Sequence, residues 1–275
     1  MANKVFMANK TNLRDQRLRS LTTILLWEGE LSNKRIRDLF GLQNVQASRL
    51  TAEFRAAYPD MIKDDESRRV MLINRDGAQK SHIEDYVRLL YEIEDKPEAI
   101  EDVRTDLAPI DPAVFAVIRH ACLNHTGADI RYASMTHPEG TQRTIFPNTI
   151  VRAGRRWHTR AWCGLRNEYR DFAFGRIRQA DISTAKPGNL DPDTQWETII
   201  DVRLAAHRGL DDKQARVVRD EYFDGAIEKN IQSRICLTPY LLQDIRASVD
   251  PEKQAPPEYQ IEVANIENIR KYLWG

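Results

Sequence analysis

The chain has 275 residues, 41 basic and 41 acidic side chains and a formal net charge of zero, a length that allows two or three small cores. Its longest apolar run, within LTTILLW, is far too short to span a bilayer and no secretory signal opens it, so no membrane partner is expected. Cys122, Cys163 and Cys236 are odd in number and far apart, which argues against a disulfide framework and for a reducing cytoplasm.

In chain order, MANK occurs twice, at Met1–Lys4 and Met7–Lys10, so Met7 is a second candidate start; residues 1–10 are read as disordered. From Leu13, the positions Leu18, Leu21, Leu25 and Leu26 recur at helical spacing up to Trp27, and Gly29 closes the helix. Ser32 caps a short second helix with Ile36, Leu39 and Phe40 on one face, and Gly41 ends it. A third helix runs to about Tyr58, where Pro59 stops it. Its buried stripe is Ala47, Leu50 and Phe54, which leaves Gln46, Ser48, Arg49 and Arg55 for other faces.

Two strand-like pieces, Met61–Lys63 and Val70–Ile73, flank the hairpin DDESRR. Helix, short helix, turn, helix, hairpin is the layout of a winged helix-turn-helix. The third helix has a polar N-terminal half, as base edges in a major groove require. Arg68 and Arg69 stand where a wing reaches a phosphate or the minor groove. The competing reading of these charges is a solvated surface.

Gly77 marks the end of this unit, and helical pattern resumes in SHIEDYVRLLYEIED, the start of an acidic connector. Pro109 and Pro112 bracket a boundary before a helix over Ala113–Leu123, and a β-domain runs from ADIRYASMT to about Ala185. PGNLDPD is a linker. The C-terminal part reads as a strand (Thr198–Leu204), a helix (Asp211–Tyr222), a strand (Ser233–Leu237), a helix (Tyr240–Ser248) and a closing helical or strand-like ENIRKYLW. The whole is α+β.

Charge alternates along the chain: residues 1–80 hold 15 basic and 10 acidic side chains, 81–110 hold 3 and 9, 111–186 hold 12 and 6, and 187–275 hold 11 and 16. Two basic blocks between acidic ones point to two anion-contacting modules. The second block is concentrated in Phe146–Ile182, with Arg152, Arg155, Arg156, Arg160, Arg166, Arg170, Arg176 and Arg178 and no lysine. The planar guanidinium fork suits phosphate or carboxylate, which makes this β-surface a candidate anion site. Trp157, Phe172 and Phe174 are expected in the core. Strand parity sets His158, Arg160 and Trp162 on one side. Arg170 and Arg176 fall in phase with the aromatics unless a bulge, for instance at Gly175, intervenes.

Trp157-His158-Thr159, with Tyr132 and Ser134 in RYASM, Arg143, Pro147, the Gly154–Trp157 turn and RDFAFGRI, resembles the WYL domain of bacterial transcriptional regulators. QASRLTAEFRAAYP is similar to the recognition helix, and DTQWETIIDVRLAAHRGL to the opening of the dimerisation domain, of WYL regulators found beside phage-defence systems, the BrxR and CapW type. The likeness covers roughly residues 12–250; it departs at His158 and Thr159, where the namesake triplet has Tyr and Leu.

It implies a winged helix-turn-helix over 11–77, a helical connector over 78–112, a ligand-sensing SH3-like β-barrel over 113–186 and a small α+β dimerisation domain over 187–275. It further implies a homodimer on a pseudopalindromic DNA operator, released when an anionic ligand, a nucleotide or single-stranded nucleic acid, occupies the WYL domain. Its expected ligand set is Tyr132, Ser134, His158, Arg160, Arg170 and Arg176. Arginines would clamp phosphates, Tyr132 would stack on a base or donate its hydroxyl, Ser134 would give a short hydrogen bond, and His158 would bind best when protonated. Surface decoration, or a part in relaying movement between domains, is the alternative for these six residues.

The rival class is a nucleic-acid-processing enzyme with His158 as acid or base. Against it, the sequence has no phosphate-binding glycine loop, GxSxG or HExxH, and no second cluster completes a zinc set with His120, Cys122 and His125. No cofactor is expected. Trp196, His207, Leu210 and Tyr222 are read as structural. Repressor and activator are indistinguishable at this level.

Overall fold

Leu18, Leu21, Ile24 and Leu25 bring apolar groups onto one face, and in a computed structural model of the chain they lie buried along helix α1 (Ala2–Glu28). The structure describes residues 2–67, 69–74, 81–93, 100–101, 107–154 and 156–273, with side chains from residue 13 onward. It divides into two units, Met1–Val103 and Arg104–Gly275. Helix α1 begins inside the segment read as disordered; no proline or glycine precedes Gly29 to interrupt it.

In the first unit, strand β1 (Glu30–Leu31) leads into α2 (Asn33–Phe40), whose cap Ser32 accepts from the Arg35 N–H at 3.0 Å. Gly41 ends α2 with φ of 60°, a conformation that favours glycine and allows the tight turn into α3 (Asn44–Ala57). Ala47, Leu50, Thr51 and Phe54 of α3 are buried against α1 and α2. Strands β2 (Ile62–Asp64) and β3 (Val70–Leu72) form the hairpin, and β1 adds to β3 in a three-stranded sheet of order β1-β3-β2. The two-residue β1 carries no periodicity and was invisible in the sequence. The core continues past Gly77 into α4 (Ile83–Ile93), which buries Leu90 beside Tyr86, Leu89 and Ile93.

In the second unit, Asp111 caps α5 (Pro112–Asn124) by accepting from the Ala113 N–H at 2.8 Å. Strands β4 (Ala128–Tyr132), β5 (Thr141–Ala153), β6 (Arg156–Cys163), β7 (Glu168–Ala173) and β8 (Ile177–Ile182) form an antiparallel sheet of order β7-β6-β5-β4-β8. The expected SH3-like barrel is not closed. Closure needs hydrogen bonds between β7 and β8, and these strands lie on opposite edges, joined by the 3-10 turn Phe174–Arg176. Helix α5 lies across β5 and β8 and buries Val114, Ile118 and Ala121 against Ala161, Cys163 and Phe172.

The C-terminal part starts with one helical turn, α6 (Thr194–Glu197), then β9 (Ile199–Ala206), α7 (Asp212–Tyr222) and β10 (Glu228–Arg234). After them come α8 (Thr238–Asp244), β11 (Ala247–Ser248), β12 (Ile261–Val263) and α9 (Ile266–Ile269), in a sheet of order β10-β9-β12-β11. The strand expected at Ser233–Leu237 is displaced: pairing with β9 ends at Arg234 and Ile235–Leu237 is a 3-10 turn. The helix expected to reach Ser248 stops at Asp244, before Arg246 turns the backbone to φ of 50°.

Phe54 has no exposed surface and sits where α1, α2 and α3 meet. Phe54→Ala is expected to lower the unfolding free energy by about 3–5 kcal/mol. A urea titration with an unshifted midpoint would refute that placement.

Candidate functional site

On α3, helical spacing turns Val45, Ser48, Arg49 and Ala52 away from the buried stripe, and all four are exposed. The Arg49 side chain is 84% exposed and touches only Glu53, at 3.3 Å among the described residues. Glu53 is shared with Arg14 of α1 at 2.8 Å. The Arg14 hydrogen bond holds the Glu53 carboxyl below the usual carboxylate range, with Arg49 adding to it. Gln46 accepts from the Gln43 N–H at 3.0 Å and fixes the start of the helix. Ser48 accepts from Asn33 at 3.0 Å, which ties α3 to α2.

The remaining expected contacts fare differently. Arg55 is paired with Asp64 on β2 at 2.8 Å. Arg69 is held by Glu30 of β1 and Asp65, each at 2.8 Å, so a phosphate would have to displace carboxylates from both arginines. Arg68 lies outside the described residues. Lys34 and Lys63 are exposed and make no ion pair with the described residues. Sequence reasoning passed over both because a single lysine carries no pattern.

The second unit holds a cavity of about 950 Å³ between the β6–β7 side of the sheet and the C-terminal part. Five of the six expected ligand residues line it: Tyr132, Ser134, Arg160, Arg170 and Arg176. Arg143, Arg166, Tyr240, Gln243 and Lys271 join them. Arg143 lies over the Tyr132 ring at 5.5 Å and donates to Thr141 at 2.9 Å. Arg143, Arg166, Arg176 and Lys271 have no carboxylate partner among the described residues, whereas Arg170 reaches Glu168 at 3.3 Å. Arg166 belongs to the run of arginines noted in the sequence; Lys271 and Tyr240, far along the chain from it, gave no signal.

Arg160 does not act as a free clamp. Its side chain is 4% exposed and grips Asp193 with two bonds of 2.7 and 2.8 Å, Asp171 at 3.3 Å and Gln195 at 3.2 Å. Burial opposes its charge, but Asp193 and Asp171 outweigh that and raise its pKa. The far oxygen of Asp171 accepts from Tyr240 of α8 at 3.2 Å, and the Tyr240 ring lies 4.9 Å from the His158 ring. One face of β6 is covered by α5 and the other by α6 and α8, so residues that parity places on opposite sides are buried alike.

His158 and Tyr132 also depart from expectation. His158 is 6% exposed, lies outside the cavity lining, and has a buried Nδ1 with no hydrogen-bond partner. Burial lowers its pKa; Asp171 opposes this, while Arg156 and Arg176 add to it. It is therefore a neutral ring and not a cation for an anion. Tyr132 is 7% exposed; its ring packs edge-on against Phe172 at 5.0 Å, and its hydroxyl accepts from the Ala173 N–H at 3.4 Å. Ser134 bonds within its own turn, to Thr136 and the His137 N–H, both at 3.1 Å. Burial pushes the Cys236 thiol up to about 11, which makes it a poor nucleophile. Among the described residues no group of His, Cys, Asp and Glu is placed to hold a metal.

Three family models match successive parts of the chain. They are the BrxR transcriptional regulator winged helix-turn-helix domain over residues 14–90, the WYL domain over 113–182, and the BrxR transcriptional regulator C-terminal dimerization domain over 199–269. The DNA-binding transcriptional repressor CapW of Escherichia coli (strain KTE188) is 30% identical over 94% of this chain and 92% of its own length. CapW of Pseudomonas aeruginosa is 25% identical over the same shares. Proteasome accessory factor B/C of Arthrobacter aurescens aligns with 94% of this chain and 48% of its own, at 15% identity and a TM-score of 0.30, too loose for any statement about the fold.

The unfolded chain accepts a proton on histidine near pH ~6.5, and folded His158 resists it. Stability is then fully present above that pH and declines as the solution is acidified toward the lowered folded value. His158→Phe should flatten the decline between pH ~7.5 and ~5.5 in urea unfolding; an unchanged slope would contradict the burial argument.

Proposed function

The chain belongs to the family of CapW-type WYL-domain transcriptional regulators, and from that premise we propose that it represses a promoter as a homodimer and is released by an anion in the cavity. The observation that carries the DNA half is Arg49, presented by α3 on an exposed face with small neighbours. A two-fold dimer sets two such helices on half-sites a helical turn apart, hence a pseudopalindromic operator. Gln46 and Ser48 flank Arg49 as further base or phosphate contacts, while Lys34 and Lys63 supply backbone charge. Residues 187–275 supply the self-association surface.

The ligand half rests on cations left without carboxylates. Arg143 of β5, Arg166 of the β6–β7 turn, Arg176 of the 3-10 turn before β8 and Lys271 of the C-terminal part surround one cavity, and their mutual repulsion is relieved by a ligand with more than one phosphate. A nucleotide or a short single-stranded nucleic acid meets that description. A ligand held about 100-fold tighter by the DNA-free form supplies about 2.7 kcal/mol, enough to open a promoter. Arg160 is the residue through which such a ligand would act on the C-terminal part, since Asp193 and Gln195 hang on it. The acidic connector over 78–112 would carry the difference onward. The controlled genes are taken to be a neighbouring defence operon, and the setting the bacterial cytoplasm, on the nucleoid when bound.

In a gel shift with the DNA upstream of its own gene, Arg49→Ala should weaken specific binding by about 1–3 kcal/mol at fixed salt. The combination Arg166→Ala with Arg176→Ala should keep operator affinity but no longer release it on addition of a single-stranded oligonucleotide or a nucleoside triphosphate. Loss of DNA binding in that variant would assign the arginines a structural part, and failure of both probes to release the native protein would exclude the phosphate class.

A further inference from the structure

Val45 is 81% exposed, although it is a β-branched apolar residue in the first turn of α3. Valine has little intrinsic reason to be there: in a helix it loses rotamer freedom, and here no core contact repays it. It lies two positions before Ala47, which has no exposed surface, so at 3.6 residues per turn it points to the side opposite the core. The residues one and two turns on, Ser48, Arg49 and Ala52, share its face.

Two features make this placement selective. The first turn is held by Gln46, which accepts from the Gln43 N–H at 3.0 Å, and a helical valine keeps essentially one χ1, so the two methyl groups occupy a fixed position. Ser48 and Ala52 are small enough to let the helix approach the floor of a groove about 12 Å wide. Of the groups on a major-groove floor, only the 5-methyl of thymine offers an apolar partner.

We infer that Val45 is a specificity-determining residue of α3, whose methyl groups pack on the 5-methyl group of a thymine in each half-site. The inference rests on the proposed reading of duplex DNA by this helix. One helical turn, about 5.4 Å, separates Val45 from Arg49. At about 3.4 Å per base step this places the thymine one to three base pairs from the base that Arg49 contacts.

Deoxyuridine, which differs from thymidine only in that methyl group, provides the test. The full-length protein is titrated onto its upstream operator with each thymine replaced in turn. One position per half-site should lose about fourfold in affinity, the worth of one buried methyl. Val45→Ala should weaken the thymine operator by a similar factor or more, leave binding to unrelated duplex unchanged, and no longer distinguish thymine from deoxyuridine at that position. If Val45→Ala discriminates as well as the native protein, or if no deoxyuridine position matters while the operator is still bound, the inference is overturned and the DNA reading stands. If the native protein fails to bind the operator at all, both fall.

Discussion

The buried pair between Arg160 and Asp193 is the interaction on which the second unit depends. A guanidinium removed from water is costly, and only good geometry with satisfied hydrogen bonds makes the arrangement tolerable. Here the fork meets one carboxylate with two bonds, a second carboxylate with another, and a side-chain amide with a fourth. Asp193 also caps α6, accepting from the Trp196 N–H at 3.2 Å. The first element of the C-terminal part is thereby fixed to β6 of the five-stranded sheet. Any event that redirects Arg160 also loosens the cap of α6.

This division of labour explains why the arginines of the sheet are not equivalent. Arg160 is paired within the protein, to Asp193 and Asp171. Arg143, Arg166 and Arg176 face the cavity without carboxylates, and Lys271 closes the circle from the other side. In the first unit the difference is one of exposure: Arg49 keeps a 3.3 Å contact with Glu53 but its side chain stays 84% exposed, whereas Arg55 and Arg69 brace the hairpin through Asp64, Asp65 and Glu30. His207 is held within the fold: Nδ1 accepts from the Gly209 N–H at 2.9 Å and Nε2 faces the Gln254 carbonyl at 2.8 Å.

Helices were legible wherever period and caps agreed. Ser32 and Gly41 bound α2, Pro59 follows α3, and Pro112 opens α5, because each of these signals acts within one helical turn. The two-residue β1 and the three-residue β12 were missed because strands that short carry no alternation. The richness of Phe146–Ile182 in arginine was also apparent from local sequence, whereas Tyr132 and Ser134 entered only through the resemblance to the WYL domain.

What the sequence could not carry was the fate of each charge. Asp193 lies 33 residues beyond Arg160 and Tyr240 lies 69 beyond Asp171, so neither partner enters any local pattern. Strand parity assigns faces within a strand but not what covers them, and both faces of β6 turned out to be covered. The same holds for His158, a ring that sequence made a candidate cation and that burial against Tyr240 keeps neutral. Sequence by itself determined the order of the longer elements, the two basic blocks and the exposed face of α3, since these follow from short-range sterics and periodicity. Tertiary structure alone decided which arginines are consumed by buried carboxylates and which line the cavity with no carboxylate partner among the described residues, because desolvation and pairing depend on groups distant along the chain.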